Sequence, residues 1–146
     1  MPRLKIDLPN SFPFKTEITV RVGDVNYGGH LGNDSLLTLL HETRLLFLAE
    51  KGMSELDAGG VGITMISAGL SFKAEAFRGD LLEVEIAVTE IGPAGFELAY
   101  KVFRKSDSKE VARAFTAMAF FDYAKRKVAK TPLAFAEAFK IHPVAG

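Results

Sequence analysis

Asp24, Asn26, His30, Asn33 and Asp34 crowd one glycine-rich stretch of the chain, RVGDVNYGGHLGNDSLLTLLHETR, residues 21–44. A carboxylate or an imidazole in such a loop can take a proton from water, and an amide can orient a water or a carbonyl by hydrogen bonds. The stretch opens as the end of an alternating run, passes Gly28, Gly29 and Gly32, and enters an apolar helix. Glycines let the backbone approach a ligand closely, and the first N–H groups of a helix have no partner inside it. Those groups, with the positive end of the helix dipole, can polarise a carbonyl or hold an anion. Asn33, at or near the first turn, puts its N–H in that position. If the backbone stays extended beyond the preceding strand, Asp24 and Asn26 project to the same side. His41 lies farther along the helix, on the stripe of Leu37, Arg44 and Leu48, while Glu42 points elsewhere.

Each residue also has a plainer use. Asp and Asn cap turns by bonding nearby backbone N–H groups. A loop histidine is more often a satisfied polar group, and a lone histidine on an apolar helix face is ordinarily a core residue with one hydrogen bond.

The elements that must position these residues follow from periodicity. Over residues 14–22, Ile18, Val20 and Val22 alternate with Glu17, Thr19 and Arg21, a strand with one buried face. A helix follows from 33 or 34 to 51, with Asn33, Asp34 or Ser35 suited to the N-cap and Gly52 to the closing turn. Leu36, Leu37, Leu39, Leu40, Leu45, Leu46, Phe47 and Leu48 leave this helix little room for a wet face, so it must be surrounded. An antiparallel sheet curled around one long helix does that most simply. Beyond a glycine-rich joint at 57–62 the chain reads as strands: 63–77, 82–88, 96–102 and 111–122. Gly69 within the first of these marks a bulge or a close backbone approach. Turns fall at 78–80, 92–95 and 106–108, and the fifth strand, apolar on both faces, is placed centrally. Thr131-Pro132 opens a short helix ending near 140. Residues 1–13, with three prolines, form an irregular arm. The expectation is a single α+β domain over 1–146, one helix inside a five-stranded antiparallel meander.

Composition narrows the function. Lys plus Arg and Asp plus Glu both number 18, which gives no basis for nucleic-acid or anionic-membrane partners. The chain has no cysteine, which excludes disulfides and thiolate chemistry and fits a cytoplasmic protein. The N-terminus lacks the apolar core of a signal peptide, and no apolar run reaches membrane-spanning length. Without a P-loop, a GxGxxG or a metal-spaced cluster, neither metal nor redox cofactor is expected. The run 63–77 carries few charges to discourage edge pairing, so a two-fold dimer or a dimer of dimers is expected.

The stretch 21–44 resembles the signature of hot-dog-fold acyl-CoA thioesterases of the 4-hydroxybenzoyl-CoA thioesterase type, roughly R-x-x-D-x-D-x-x-G-H-V-N-N-x-x-Y-L. Arg21, Asp24, Gly29, His30, Asn33, Leu37 and Arg44 stand at matching places, and FKAEAFRGDLLEVE resembles the family's aromatic strand, basic-Gly-Asp turn and following strand. Three positions depart. Asn26 replaces the second Asp, Gly32 the first Asn of the usual pair, and His41 the helix Glu. The resemblance implies a hot-dog fold, hydrolysis of a fatty or aromatic acyl-CoA, and coenzyme A as part of the substrate rather than a cofactor. It implies that the N–H at Asn33 polarises the thioester carbonyl. It points to Asp24, Asn26, His30, Asn33 and His41 for chemistry, with Asp24 ranked first as base and His41 second. Tyr27, Gly28, Gly29, Leu37 and Arg78 are expected to hold substrate. Lys125-Arg126-Lys127 and the cluster Lys101, Arg104 and Lys105 are candidates for the coenzyme's phosphates. The alternatives are a dehydratase or hydratase of acyl thioesters and a non-catalytic acyl-thioester binder.

Overall fold

The computed structural model describes residues 4–139. The chain forms β1 (Phe14–Thr19), a 3-10 turn at Val22–Asp24, and α1 (Asn33–Ala49). It continues through β2 (Gly62–Phe72), β3 (Leu81–Gly92), β4 (Gly95–Arg104) and β5 (Lys109–Asp122). A two-residue β6 (Lys127–Val128) and a short α2 (Leu133–Ala138) close it.

All strand pairs are antiparallel, in the order β1-β3-β4-β5-β2, with β6 added to β5. The sheet therefore has six strands rather than five, and it is not a simple meander. β6 escapes periodicity because two residues, one of them Lys127, are too few to alternate. β2 leaves its neighbour in sequence and pairs with β5 at the far edge. The connection 73–80 must then run across the ends of β5 and β4. Lys73 and Ala74 N–H both donate to Val111 O, at 2.7 and 3.2 Å, as it does so. β2 also stops at Phe72, short of the expected 77.

α1 lies across one face of the sheet. Leu36, Leu39, Leu40, Phe47 and Leu48 share a core with Leu82, Val84, Ile86, Val88, Leu98, Tyr100 and Val102. The opposite face of α1, with His41, Glu42, Leu45 and Leu46, is open to solvent. The expectation of a surrounded helix is corrected for a single chain, because one sheet covers one stripe of a helix. Gly32, extended and without a side-chain cap, is the N-cap in place of Asn33, Asp34 or Ser35. At the other end Gly52 takes φ 70°, with Gly52 N–H on Ala49 O and Met53 N–H on Leu48 O. That paired closure satisfies the last carbonyls.

A buried cation ties α1 to the sheet. Arg44 donates through Nε to Glu55 (2.9 Å) and through Nη1 to Tyr100 Oη (3.2 Å). Arginine only donates, so Tyr100 Oη accepts from it, and the same hydroxyl shares a hydrogen bond of 2.8 Å with Thr116 Oγ1. Burial pushes the Tyr100 hydroxyl above the ordinary phenol range. Burial also pushes Glu55 up, but hydrogen bonds from His41 and Arg44 outweigh it and hold the carboxyl below its usual value.

Gly69 is a close approach, not the bulge: a Cβ there would fall 2.4 Å from Phe115, while the register slips at Ile66, between Met65 and Ser67. Thr131 does not cap α2. Its hydroxyl donates to Gly92 O at 2.6 Å, and Pro132 takes the N-cap. α2 ends at Ala138, and residue 140 lies outside the described residues. Phe135, fully buried, joins the rings of Phe96, Phe120 and Phe139. The described part of the arm lies on the sheet face away from α1, where Arg113 donates to Ile6 O at 3.2 Å. No helix among the described residues is long and apolar enough to cross a membrane.

Candidate active site

The loop from β1 to α1 is built by turns, not by an extended run. β1 ends at Thr19, Val20 pairs with Gly79 and Asp80, and the chain turns at Val22–Asp24 with Val22 in solvent. The Asp24 carboxylate, 7 % exposed, accepts Arg21 N–H at 2.8 Å and Arg21 Nε at 3.4 Å. It therefore does not share a face with Asn26, as an extended backbone would require. Val25 and Leu31 then bridge, leaving residues 26–30 as a small hairpin tip. There Asn26 N–H donates to His30 O and Gly29 N–H to Asn26 O, both at 2.9 Å, with Gly29 at φ 83°. Asn26 Oδ1 accepts Gly28 N–H at 2.9 Å. A Cβ on residue 28 would crowd Asn26 Oδ1 at 3.2 Å and His30 Nε2 at 3.3 Å.

The connection 73–80 lies alongside this tip. His30 bridges to Phe77, and Leu31 N–H donates to Ala76 O at 2.8 Å. Arg104, paired with Asp107 at 2.9 Å, pins the segment by donating to Glu75 O at 2.8 Å. Between the two walls opens a cavity of about 410 Å³, with Asn26, His30, Leu31 and Asn33 on one side and residues 72–75 on the other. His30 Nε2 stands 3.8 Å from Glu75 Oε1. Asn33 begins α1, its Oδ1 accepting Asp34 N–H at 2.9 Å, and its own N–H has no acceptor among the described residues.

The structure thus gathers Asn26, His30 and Asn33 at one cavity, with Gly28 and Gly29 at its hairpin tip. Asp24 does not line it. His41 is not a core histidine. Its side chain is half exposed and meets Glu55 Oε1 at 2.5 Å, beside a separate cavity of about 450 Å³ that Arg21, Thr38 and Glu42 also border. Eight residues of helix put it about 12 Å from Asn33 along the axis. Tyr27 projects fully into solvent, Leu37 is half-buried, and Arg78 sits in an exposed turn next to Phe77.

The basic groups do not cluster at this cavity. Lys105 pairs with Glu17, Arg104 holds Asp107 and Glu75 O, and Lys101 faces the other side of β4. Lys125, Arg126 and Lys127 lie past the end of β5 that pairs with Gly62, about 30 Å of strand away from Phe72. Sequence reasoning missed Phe72, Lys73 and Glu75 as wall residues and Glu55 as the partner of His41 and Arg44. The signal for the wall was present, since Lys73 and Glu75 break the apolar run before the expected strand end. No group of three His, Asp or Glu side chains placed to hold a metal occurs among the described residues.

No curated protein matches the chain. Solved structures do. A 1,4-dihydroxy-2-naphthoyl-CoA thioesterase from Synechocystis superposes with TM-score 0.77 at 24 % identity, over 86 % of this chain and 93 % of that one. A thioesterase superfamily protein from Jannaschia sp. CCS1 gives 0.79 at 16 %, over 95 % and 94 %. The gentisyl-coenzyme A thioesterase BH1999 gives 0.77 at 20 %, over 87 % and 100 %. At these identities the likeness is one of fold, the hot-dog fold of a sheet laid against one long helix. The thioesterase-like superfamily model matches residues 20–139, from just after β1 through α2, and the chain belongs to that superfamily.

Proposed function

We propose that the protein hydrolyses acyl-CoA thioesters. The observation that carries this reading is the cavity at the start of α1, where an imidazole and donors unpaired among the described residues face the apolar side chains of Phe72 and Ala74. A thioester carbonyl is already electrophilic, so the protein need only place it, polarise it and supply an aligned water. The Asn33 N–H, at the positive end of the α1 dipole, is the polarising group, and the coenzyme is part of the substrate. Superfamily membership supports hydrolysis. The aromatic acyl-CoA substrates in the names of two similar structures make aromatic acyl groups the first to test. Asn26, where the resemblance places a carboxylate, favours one second reading, a non-catalytic acyl-thioester binder. Thiol release from a panel of aromatic and aliphatic acyl-CoAs separates the two. Release above the uncatalysed rate is expected from at least one, and none from any member ends the hydrolase reading.

A further inference from the structure

The two asparagines of the cavity have a fixed orientation. Asn26 Oδ1 accepts Gly28 N–H and Asn33 Oδ1 accepts Asp34 N–H, each at 2.9 Å. A backbone N–H can only donate, so it must meet the amide oxygen, and neither side chain can be turned end for end without losing its bond. The ends left over are the two NH₂ groups, and neither has a partner among the described residues. Together with the Asn33 N–H they make the α1 side of the cavity a set of donors. The acceptors that line it are His30 and Glu75, whose Nε2 and Oε1 lie 3.8 Å apart, while Lys73 is the other charged group on the wall.

Resting on the hydrolase reading, we propose a division of labour within this cavity. The amides of Asn26 and Asn33 hold the thioester carbonyl oxygen as it becomes an oxyanion, and His30 accepts the proton of the attacking water. As the water oxygen bonds to the carbonyl carbon, its proton passes to the imidazole and the carbonyl electron pair moves onto the oxygen held by the asparagines. Collapse of that oxyanion breaks the C–S bond, and the coenzyme thiolate leaves with the proton from the imidazolium. The acid and the thiol are the products, and His30 is neutral again. Position 26 then serves as a donor, the opposite of the carboxylate that the resemblance puts there.

Asn26→Asp tests this directly. One carboxylate oxygen still accepts Gly28 N–H, so the hairpin tip is kept, and the other replaces a donor with an anion. With thiol release as the readout and melting curves to confirm folding, kcat falls about 10²–10³-fold with little change in KM, as for loss of an oxyanion donor. Asn26→Ala falls about as far. An Asn26→Asp rate equal to or above wild type overturns the donor role while leaving the hydrolase intact. His30→Gly loses about 10²–10⁴-fold in kcat and regains part of it when free imidazole is added. A His30→Gly rate that imidazole does not raise overturns the base. An inactive wild-type protein overturns the hydrolase reading and this assignment with it.

Discussion

Asp24 shows how a chemically capable residue can be spent on structure. Its carboxylate closes the turn at Val22–Asp24 through the Arg21 N–H and guanidinium, and its carbonyl accepts Gly32 N–H at 3.1 Å, just ahead of α1. Asp24→Asn keeps an oxygen but loses the charge that faces Arg21, and the expected cost is about 1 kcal/mol of stability, comparable to removal of a helix cap. A lowered melting temperature with kcat per folded molecule within about threefold of wild type is the expected pair of results. A large fall in kcat at unchanged melting temperature would return Asp24 to the chemistry.

At the scale of the element, α1 is held to the sheet by its apolar stripe and by the Arg44–Glu55–Tyr100–Thr116 chain. Arg44 is almost fully buried and Glu55 is partly so. Replacing Arg44 with Met takes the donor from the Glu55 carboxylate and from Tyr100 Oη and leaves them, among the described residues, only the bonds to His41 and Thr116, at a cost of about 3 kcal/mol, the low end for a broken buried pair. Urea unfolding measures it, and a loss below about 1 kcal/mol would mean that the packed methionine makes good the pair. The pH dependence has a definite sign. Glu55 titrates below its ordinary value of 4.5 in the folded chain. Its contribution to stability is therefore fully present above that value and is lost as pH falls through the lower, folded-state value. The stability gap between wild type and Glu55→Gln is expected to be widest near neutrality and to close in acid. A gap that widens below pH about 4 would reverse the assignment of His41 and Arg44 as its stabilising partners.

The whole molecule leaves an edge open. Among the described residues β2 has β5 on one side and no strand on the other, and Met65 and Ile66 in its middle are 40 % and 67 % exposed. Natural sheets cover or charge such edges, and this one carries no charge between Gly62 and Phe72. In the expected two-fold dimer, a partner pairing its own β2 antiparallel to this one, centred on residues 65–68, would cover it. That register brings the partner's Gly62 end, and with it the turn before β6, opposite this chain's Phe72 wall. A dimer by light scattering at micromolar concentration is the expected state, and Ile66→Glu is expected to shift it to monomer. Lys125→Glu with Lys127→Glu should raise KM for acyl-CoA at nearly constant kcat, because in that dimer these charges would reach the cavity from the partner. A wild-type monomer, or an unchanged KM in the double variant, would break that arrangement.

Period-two alternation in β3 and β4, glycine and proline at the turns, and the leucine-rich run of α1 made one long helix and a set of antiparallel strands legible, because local sterics and burial write themselves into neighbouring residues, while the hot-dog arrangement came from the resemblance of residues 21–44. The gathering of Asn26, His30 and Asn33 was legible for the same reason, as all three lie on one short loop. What the sequence could not carry was long-range pairing. The placement of β2 beside β5 depends on partners some fifty residues apart, and it alone throws residues 73–80 across the strand ends to make Glu75 and Phe72 a wall. The turn at Val22–Asp24 likewise separates Asp24 from Asn26, because the extended backbone that would align them gives way to hydrogen bonds with Arg21. Residue types supplied the possible chemistry, and only the crossing of distant segments decided which of them share a cavity.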